Sequence, residues 1–305
     1  MTTAVSVAPP RPPARLNAGI LAADQRRERL LMIALCSPAV LLTLVVIFLP
    51  VGWLSWLSLF NDAGELSAAN YARLVEQRSY IGTFKTTFLI SVVVTLVSLV
   101  LGYPLSYMLA QLPRRAASLC MICVILPFWT SVLVRTYAWL VILQRKGLVN
   151  DWLVALGIVD EPLQLVHNFG GVIIGMSQVL LPFLVLPLYA SMKSIDRDYV
   201  RAAMNLGASP TAAFWQVFFP LSVPGLVAGL VLIFVLCLGF FVTPALMGGG
   251  TVIMWAMRIQ QTVSLYANWG AASALGVVLL VVTLVCLYVF AKLFRAGNLF
   301  GRGLG

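Results

Sequence analysis

The sequence predicts an all-α integral membrane protein with six transmembrane helices and one polar, cytoplasmic loop of unusual design. Three observations carry that expectation. Hydrophobic residues make up 61% of the 305-residue chain and charged residues only 10%, with a mean hydropathy of +0.98; a soluble domain carries about 25% charged residues. Six apolar runs reach the roughly 20 residues that an α-helix needs to cross a hydrocarbon core. The basic residues are scattered at the ends of those runs instead of gathering on one face, so the net charge of +10 reads as a topology signal and not as a nucleic-acid surface.

Taken in order, residues 1–29 are expected to form a cytoplasmic tail. Pro9, Pro10, Pro12 and Pro13 around Arg11 argue for disorder, and 17–30 is either a basic interfacial helix or the solvated start of the first span. No cleavable signal peptide is expected, because the first apolar run begins near residue 30 and is full length. The membrane domain, 30–296, holds apolar runs at about 30–49, 84–109, 117–143, 169–190, 223–247 and 270–294, and 297–305 is a second cytoplasmic tail. Trp53 and Trp56, beyond the first run, read as interfacial anchors.

Counting Lys and Arg orients the spans. One side receives Arg11, Arg15, Arg26, Arg27 and Arg29, then Arg114 and Arg115, then Lys193, Arg197 and Arg201, then Lys292, Arg295 and Arg302. The other receives Arg73, Arg78, Lys85, Arg145, Lys146 and Arg258, with Arg135 inside the third run. The richer side is cytoplasmic by the positive-inside rule, which puts both termini there.

The same rule places the segment from Ser191 to Pro220 in the cytoplasm, and its residues read as two short helices. Asp196 is a good N-cap, and Tyr199, Ala202, Ala203 and Leu206 then recur at i, i+3, i+4 and i+7. Gly207 is placed to end that helix in the left-handed conformation. Ser209 before Pro210 caps a second helix, expected to run to about Phe218, and Pro220 and Pro224 are expected to close the unit. Two short helices hinged at a glycine on a membrane surface suit docking to a partner. Phe214, Trp215 and Phe218 form an aromatic stripe on the second, which either packs on this chain's own spans or touches that partner.

Catalysis finds no support. His167 is the single histidine, no Asp or Glu falls inside a run, and no phosphate-binding glycine loop is present. Cys120 and Cys123 form a C-x-x-C, which inside an apolar helix reads as packing and not as a redox or metal site. A self-powered carrier would carry ionisable groups within its spans for ion coupling, and Arg135 stands alone there.

At this point the residues resemble a known family. Arg201-Ala202-Ala203, then Gly207, then Val217, Phe219 and Pro220 look like the EAA…G…I-LP loop of permease subunits of binding-protein-dependent ABC importers, with Arg201 at the usual glutamate. Leu101–Tyr107, Leu126–Ser131 with Val134–Trp139, Leu181–Tyr189 and Phe241–Leu246 with Gly248 and Gly249 are similar to the first permease of spermidine/putrescine importers, so that the resemblance runs from about residue 70 to residue 294. It implies the type I ABC importer permease fold, with 191–222 as a coupling loop in which Arg201, Ala202, Ala203, Gly207 and Pro220 meet an ATPase. It also implies a homologous second permease, an ATPase dimer that consumes the ATP, and an extracytoplasmic substrate-binding protein. This chain would then bind no cofactor or metal of its own and carry no catalytic residue. Polyamines are the implied cargo; an anion, an opine or an amino-acid derivative on the same mechanism is the alternative, and an ion-gradient carrier a more distant one.

Within the spans, Trp129, Arg135, Tyr137, Trp139, Phe240, Thr243 and Pro244 are candidates for the translocation path or its gate. Aromatic faces attract alkylammonium groups, although aromatics near span ends also serve as interfacial anchors. Arg135 is either a path residue or a structural donor to neighbouring carbonyls, since a cation in lipid costs about 2.5–3.5 kcal/mol on insertion scales. Pro244 and the glycines Gly248, Gly249 and Gly250 suit a flexible gate at the end of the fifth run.

Overall fold

The apolar runs become long helices, as hydrocarbon demands of a backbone that must satisfy its own polar groups. The computed structural model describes residues 16–61 and 64–301, with side chains within 27–61 and 64–294; the proline-rich stretch expected to be disordered and the last four residues lie outside the described residues. The chain divides into two compact units, 1–53 and 54–305.

The first unit is occupied by α1 (Leu16–Leu57), which ends just inside the second. Its side chains from Leu30 to Leu49 are exposed. Of the two readings of 17–30, the start of the first span is the one the helix follows: it is continuous from Leu16, because Gln25, Arg26, Arg27, Glu28 and Arg29 are all good helix formers and nothing breaks the chain before the apolar run. Trp53 and Trp56 therefore sit in its last turns and not beyond it.

In the second unit, α2 (Ala69–Glu76) leads to α3 (Arg78–Gln111), which packs against α7 (Phe169–Ser194) and α10 (Phe219–Leu238). Ile90, Val94, Met176, Leu184, Leu188 and Ile233 are fully buried where the three meet. Small residues allow the approach. A Cβ at Gly102 would stand 2.8 Å from Leu184 Cδ2, and one at Gly229 2.6 Å from Leu184 Cδ1, so both neighbours of α7 close on one leucine, as membrane helices do without a hydrophobic drive between them. The hydroxyls of Thr83, Thr87, Ser91 and Thr95 on α3 each donate to the carbonyl four residues back, at 2.6–3.0 Å, which lets polar side chains sit within an apolar helix.

The third apolar run is not one straight span. It forms α4 (Arg114–Ile125) with a 3₁₀ turn over Leu126–Trp129, then α5 (Val132–Leu143) and α6 (Leu148–Ala155), and the two parts meet at 99°. The cause is local: Pro127 tightens the turn, Thr130 is extended and Ser131 also leaves the helical region (ψ 149° and 137°), and the Thr130 hydroxyl donates to Pro127 O at 2.7 Å. With 12 residues each, α4 and α5 are about 18 Å long, too short to cross alone. Among the described residues five helices are thus long and apolar enough to span a membrane, or six if the bent pair is counted as one broken span.

The fifth run is also interrupted. Helix α10 ends at Leu238, Gly239 follows, and α11 (Val242–Met247) is a separate short helix with Pro244 in its first turn. Gly249 and Gly250 take φ of +56° and +78° to reverse the chain into α12 (Trp255–Ser264) and α13 (Trp269–Gly301). Trp255 ties α12 to α3 and α13: its backbone N–H donates to Thr87 Oγ1 at 2.8 Å and its indole N–H to Leu275 O at 2.9 Å.

Candidate functional site

The polar segment forms a capped helix, a glycine turn and the beginning of the next long helix. Asp196 caps α8 (Arg197–Asn205) by accepting the Asp198 N–H at 3.0 Å. Gly207 ends it at φ +95°, with the Gly207 N–H on Met204 O and the Ala208 N–H on Ala203 O, the paired bonds of a Schellman turn. No atom lies within 4 Å of where a Gly207 Cβ would stand, so the backbone angle, not space, calls for glycine there.

Helix α8 has two apolar faces. Ile195 before it and Val200 pack toward the chain's own core. On the other face Tyr199 is 60% exposed and Leu206 is 90% exposed, with Ala202 exposed between them. Arg201, beside Ala202, pairs with Asp198 at 3.1 Å, both side chains in solvent.

The second short helix does not end near Phe218. Ser209 caps α9 (Pro210–Ala213) by accepting the Ala212 N–H at 3.2 Å, and a π-turn over Phe214–Phe218 then carries it into α10 without a stop. The widened turn, with the Phe219 N–H on Phe214 O, admits the ring of Pro220, which therefore begins a helix where the sequence suggested an end. The aromatic stripe splits. Phe214 and Phe218 pack edge-on against Tyr107 of α3, at 5.2 and 5.1 Å, whereas Trp215 is 58% exposed.

The path candidates fall into two groups. Thr136 on α5 and Thr243 on α11 are buried and hydrogen-bonded at 3.3 Å, beside Pro244, also buried. The Trp139 indole donates to Gln178 Oε1 of α7 at 3.4 Å. These bonds draw α5, α7 and α11 into one polar patch, next to which Phe240 is half-buried. Trp129 and Tyr137, by contrast, are 88% and 56% exposed. Arg135 lies one turn into α5, and its Nε and Nη1 are buried without an acceptor. Reasoning from sequence missed Gln178 and Thr136; Gln178 was visible as an isolated amide in the apolar run 169–190.

This architecture and its motifs can be set beside known proteins. Residues 102–297 match the family model described as "Binding-protein-dependent transport system inner membrane component". The chain belongs to that family. It is 34% identical over 229 residues to the spermidine/putrescine transport system permease protein PotB of Escherichia coli K12, covering 75% of this chain and 83% of that one. It is 33% identical over 210 residues to PotB of Haemophilus influenzae, covering 69% and 72%. Among solved structures, a chain of the bacterial alginate ABC transporter in complex with its alginate pentasaccharide-bound periplasmic protein matches with a TM-score of 0.76 at 20% identity, over 90% of this chain and 96% of that chain. That likeness establishes a shared fold and leaves the cargo open. The chain is accordingly a multi-pass inner-membrane transport subunit, not an enzyme.

Proposed function

We propose that this chain is one of two permease subunits of an ATP-driven polyamine importer. A homologous permease completes the path, an ATPase dimer docks on 191–222, and a soluble binding protein delivers spermidine or putrescine from outside. The cargo rests on the 34% identity to PotB across 83% of that permease's length.

For docking, the carrying observation is the exposed ridge of Tyr199, Ala202 and Leu206 on a helix whose ends are capped by Asp196 and Gly207. Tyr199, Ala202 and Leu206 share one face outside the apolar spans, so their exposure makes a patch that a partner can cover and not a single stray leucine. Ala202 and Ala203 are small enough for close approach. Arg201, Gly207 and Pro220 complete the set: a charge on the docking face, the turn after it, and the entry to α10. With the basic residues counted as above, this end of the molecule and both termini are cytoplasmic.

The polar patch of Thr136, Trp139, Gln178 and Thr243, with Arg135, Tyr137, Trp129, Phe240 and Pro244 around it, is the proposed lining of the path. The chain's own part is to shape that lining and to move with the ATPase; ATP is bound and hydrolysed by the partner. The test is reconstitution of the permease pair, ATPase and binding protein in liposomes. Spermidine uptake that requires both ATP and the binding protein is expected. Uptake by this chain alone along an ion gradient, or ATP-driven uptake of an anion and not of spermidine, would overturn the reading.

A further inference from the structure

Three helix ends meet beside the docking helix. The last carbonyls of α3 have no intrahelical donors, because the chain leaves the helix at Leu112 and Pro113 has no N–H. Two cations from a different part of the chain cover them. Lys193, in the last turn of α7, donates to Ala110 O at 3.4 Å, and Arg197, the first residue of α8, donates to Ala110 O at 3.2 Å and to Gln111 O at 3.3 Å. Each positive group also lies at the negative end of the α3 dipole. Ala110, Met192 and Phe218 pack beneath the joint, and a groove of about 480 Å³ opens beside it between Gln111, Asp196 and Phe218.

The geometry points to Arg197, assisted by Lys193, as a positioning residue that transmits movement of α8 to α3. This assignment rests on the coupling role proposed above. Between α8 and α7 lie only Ile195 and Asp196, so α8 has a short tether to the helix before it and a charged grip on α3 across 86 residues of sequence. Helix α3 is one helix of 34 residues, about 51 Å long, unbroken through Pro104 in its second half. Toward its other end Thr87 accepts the backbone N–H of Trp255, the first residue of α12. Arg197, α3 and Thr87 therefore form one contiguous line from the docking helix to the segment beyond the glycine turn. Two discrete arrangements of such a line are what coupling between distant sites needs.

The experiment uses the full complex in liposomes with Arg197→Ala, Arg197→Lys and Lys193→Ala. ATP hydrolysed, spermidine imported and ATPase retained on the purified complex are measured together. Arg197→Ala is expected to lower molecules imported per ATP by about tenfold, within the range of ordinary coupling energies. Arg197→Lys, which keeps one donor for Ala110 O, is expected to recover most of that ratio, and Lys193→Ala to cost about twofold. A wild-type import ratio in Arg197→Ala overturns the proposal. Loss of the ATPase from that complex overturns it as well, by making Arg197 a docking residue. A wild-type complex without ATP-dependent import would sink the functional reading itself, which the variant arms alone cannot do.

Discussion

The docking segment and the bend in the third run are both interruptions of apolar sequence, and they are built in opposite ways. In the docking segment every helix end is closed by a neighbour in sequence: Asp196 and Ser209 accept N–H groups, and Gly207 returns the last carbonyls. What it leaves open is apolar, the face of Tyr199 and Leu206. At the bend the backbone is also closed, by Pro127 and Thr130, but what is left open is polar, the buried Nε and Nη1 of Arg135. A hairpin closed in this way keeps its shape alone, as the proposed docking role requires. Two buried guanidinium nitrogens without an acceptor, on a side chain that is itself half-buried, mark a place where an oxygen from a partner would fit.

That contrast predicts its largest effect at Arg135. Arg135→Met removes two buried donors that find no acceptor here, so the purified chain in detergent should gain stability, by up to about 3 kcal/mol. In the assembled transporter the same change should slow uptake, because the acceptors would come from the second permease; a polyamine cargo, itself a cation with only donors, could not supply them. Thermal unfolding of the chain and uptake by the complex measure the two halves. A chain destabilised by Arg135→Met would erase the contrast, since it would mean that the guanidinium is already satisfied.

A smaller change is expected at Gly207. Val there has room for its side chain but must hold φ near +95°, at a cost of about 1–2 kcal/mol. The turn should relax, misalign α8 and uncouple ATP hydrolysis from uptake, whereas Gly207→Asn, which tolerates the left-handed region, should retain most of both. Coupled uptake that survives Gly207→Val at wild-type rates would mean that the hinge geometry is not part of docking.

The two regions also differ in how far residues alone reveal them. The α8 helix and its turn were legible because their determinants are adjacent in sequence: a cap, a 3.6-residue period and a glycine in register. The continuation through Pro220 was not, because a π-turn is a response to packing of Phe214 and Phe218 on Tyr107, which lies over 100 residues away. The third and fifth runs read as straight spans because hydropathy is blind to direction. Pro127 and Gly239 mark the two breaks, and Pro244 with the glycines after it signalled only a flexible end to the fifth run; prolines such as Pro182 and Pro187 in α7 break nothing. The Thr136–Thr243 and Trp139–Gln178 bonds join α5 to elements 39 to 107 residues away, and no spacing encodes them.

The smallest stability effect belongs to Arg201, and that makes it the sharpest probe of docking. Its pair with Asp198 lies in solvent, with the two side chains 68% and 75% exposed, and exposed pairs three residues apart on a helix contribute at most about 0.5 kcal/mol. Arg201→Ala should therefore leave unfolding of the chain unchanged within error. Any loss of ATPase from the complex must then come from the contact across the interface. Arg201→Glu separates the sign of that contact: if the ATPase groove presents an acid to this helix, Glu should weaken assembly more than Ala does, and added salt should narrow the difference. If Glu strengthens assembly instead, the groove is basic, and Arg201 is held away from it by Asp198.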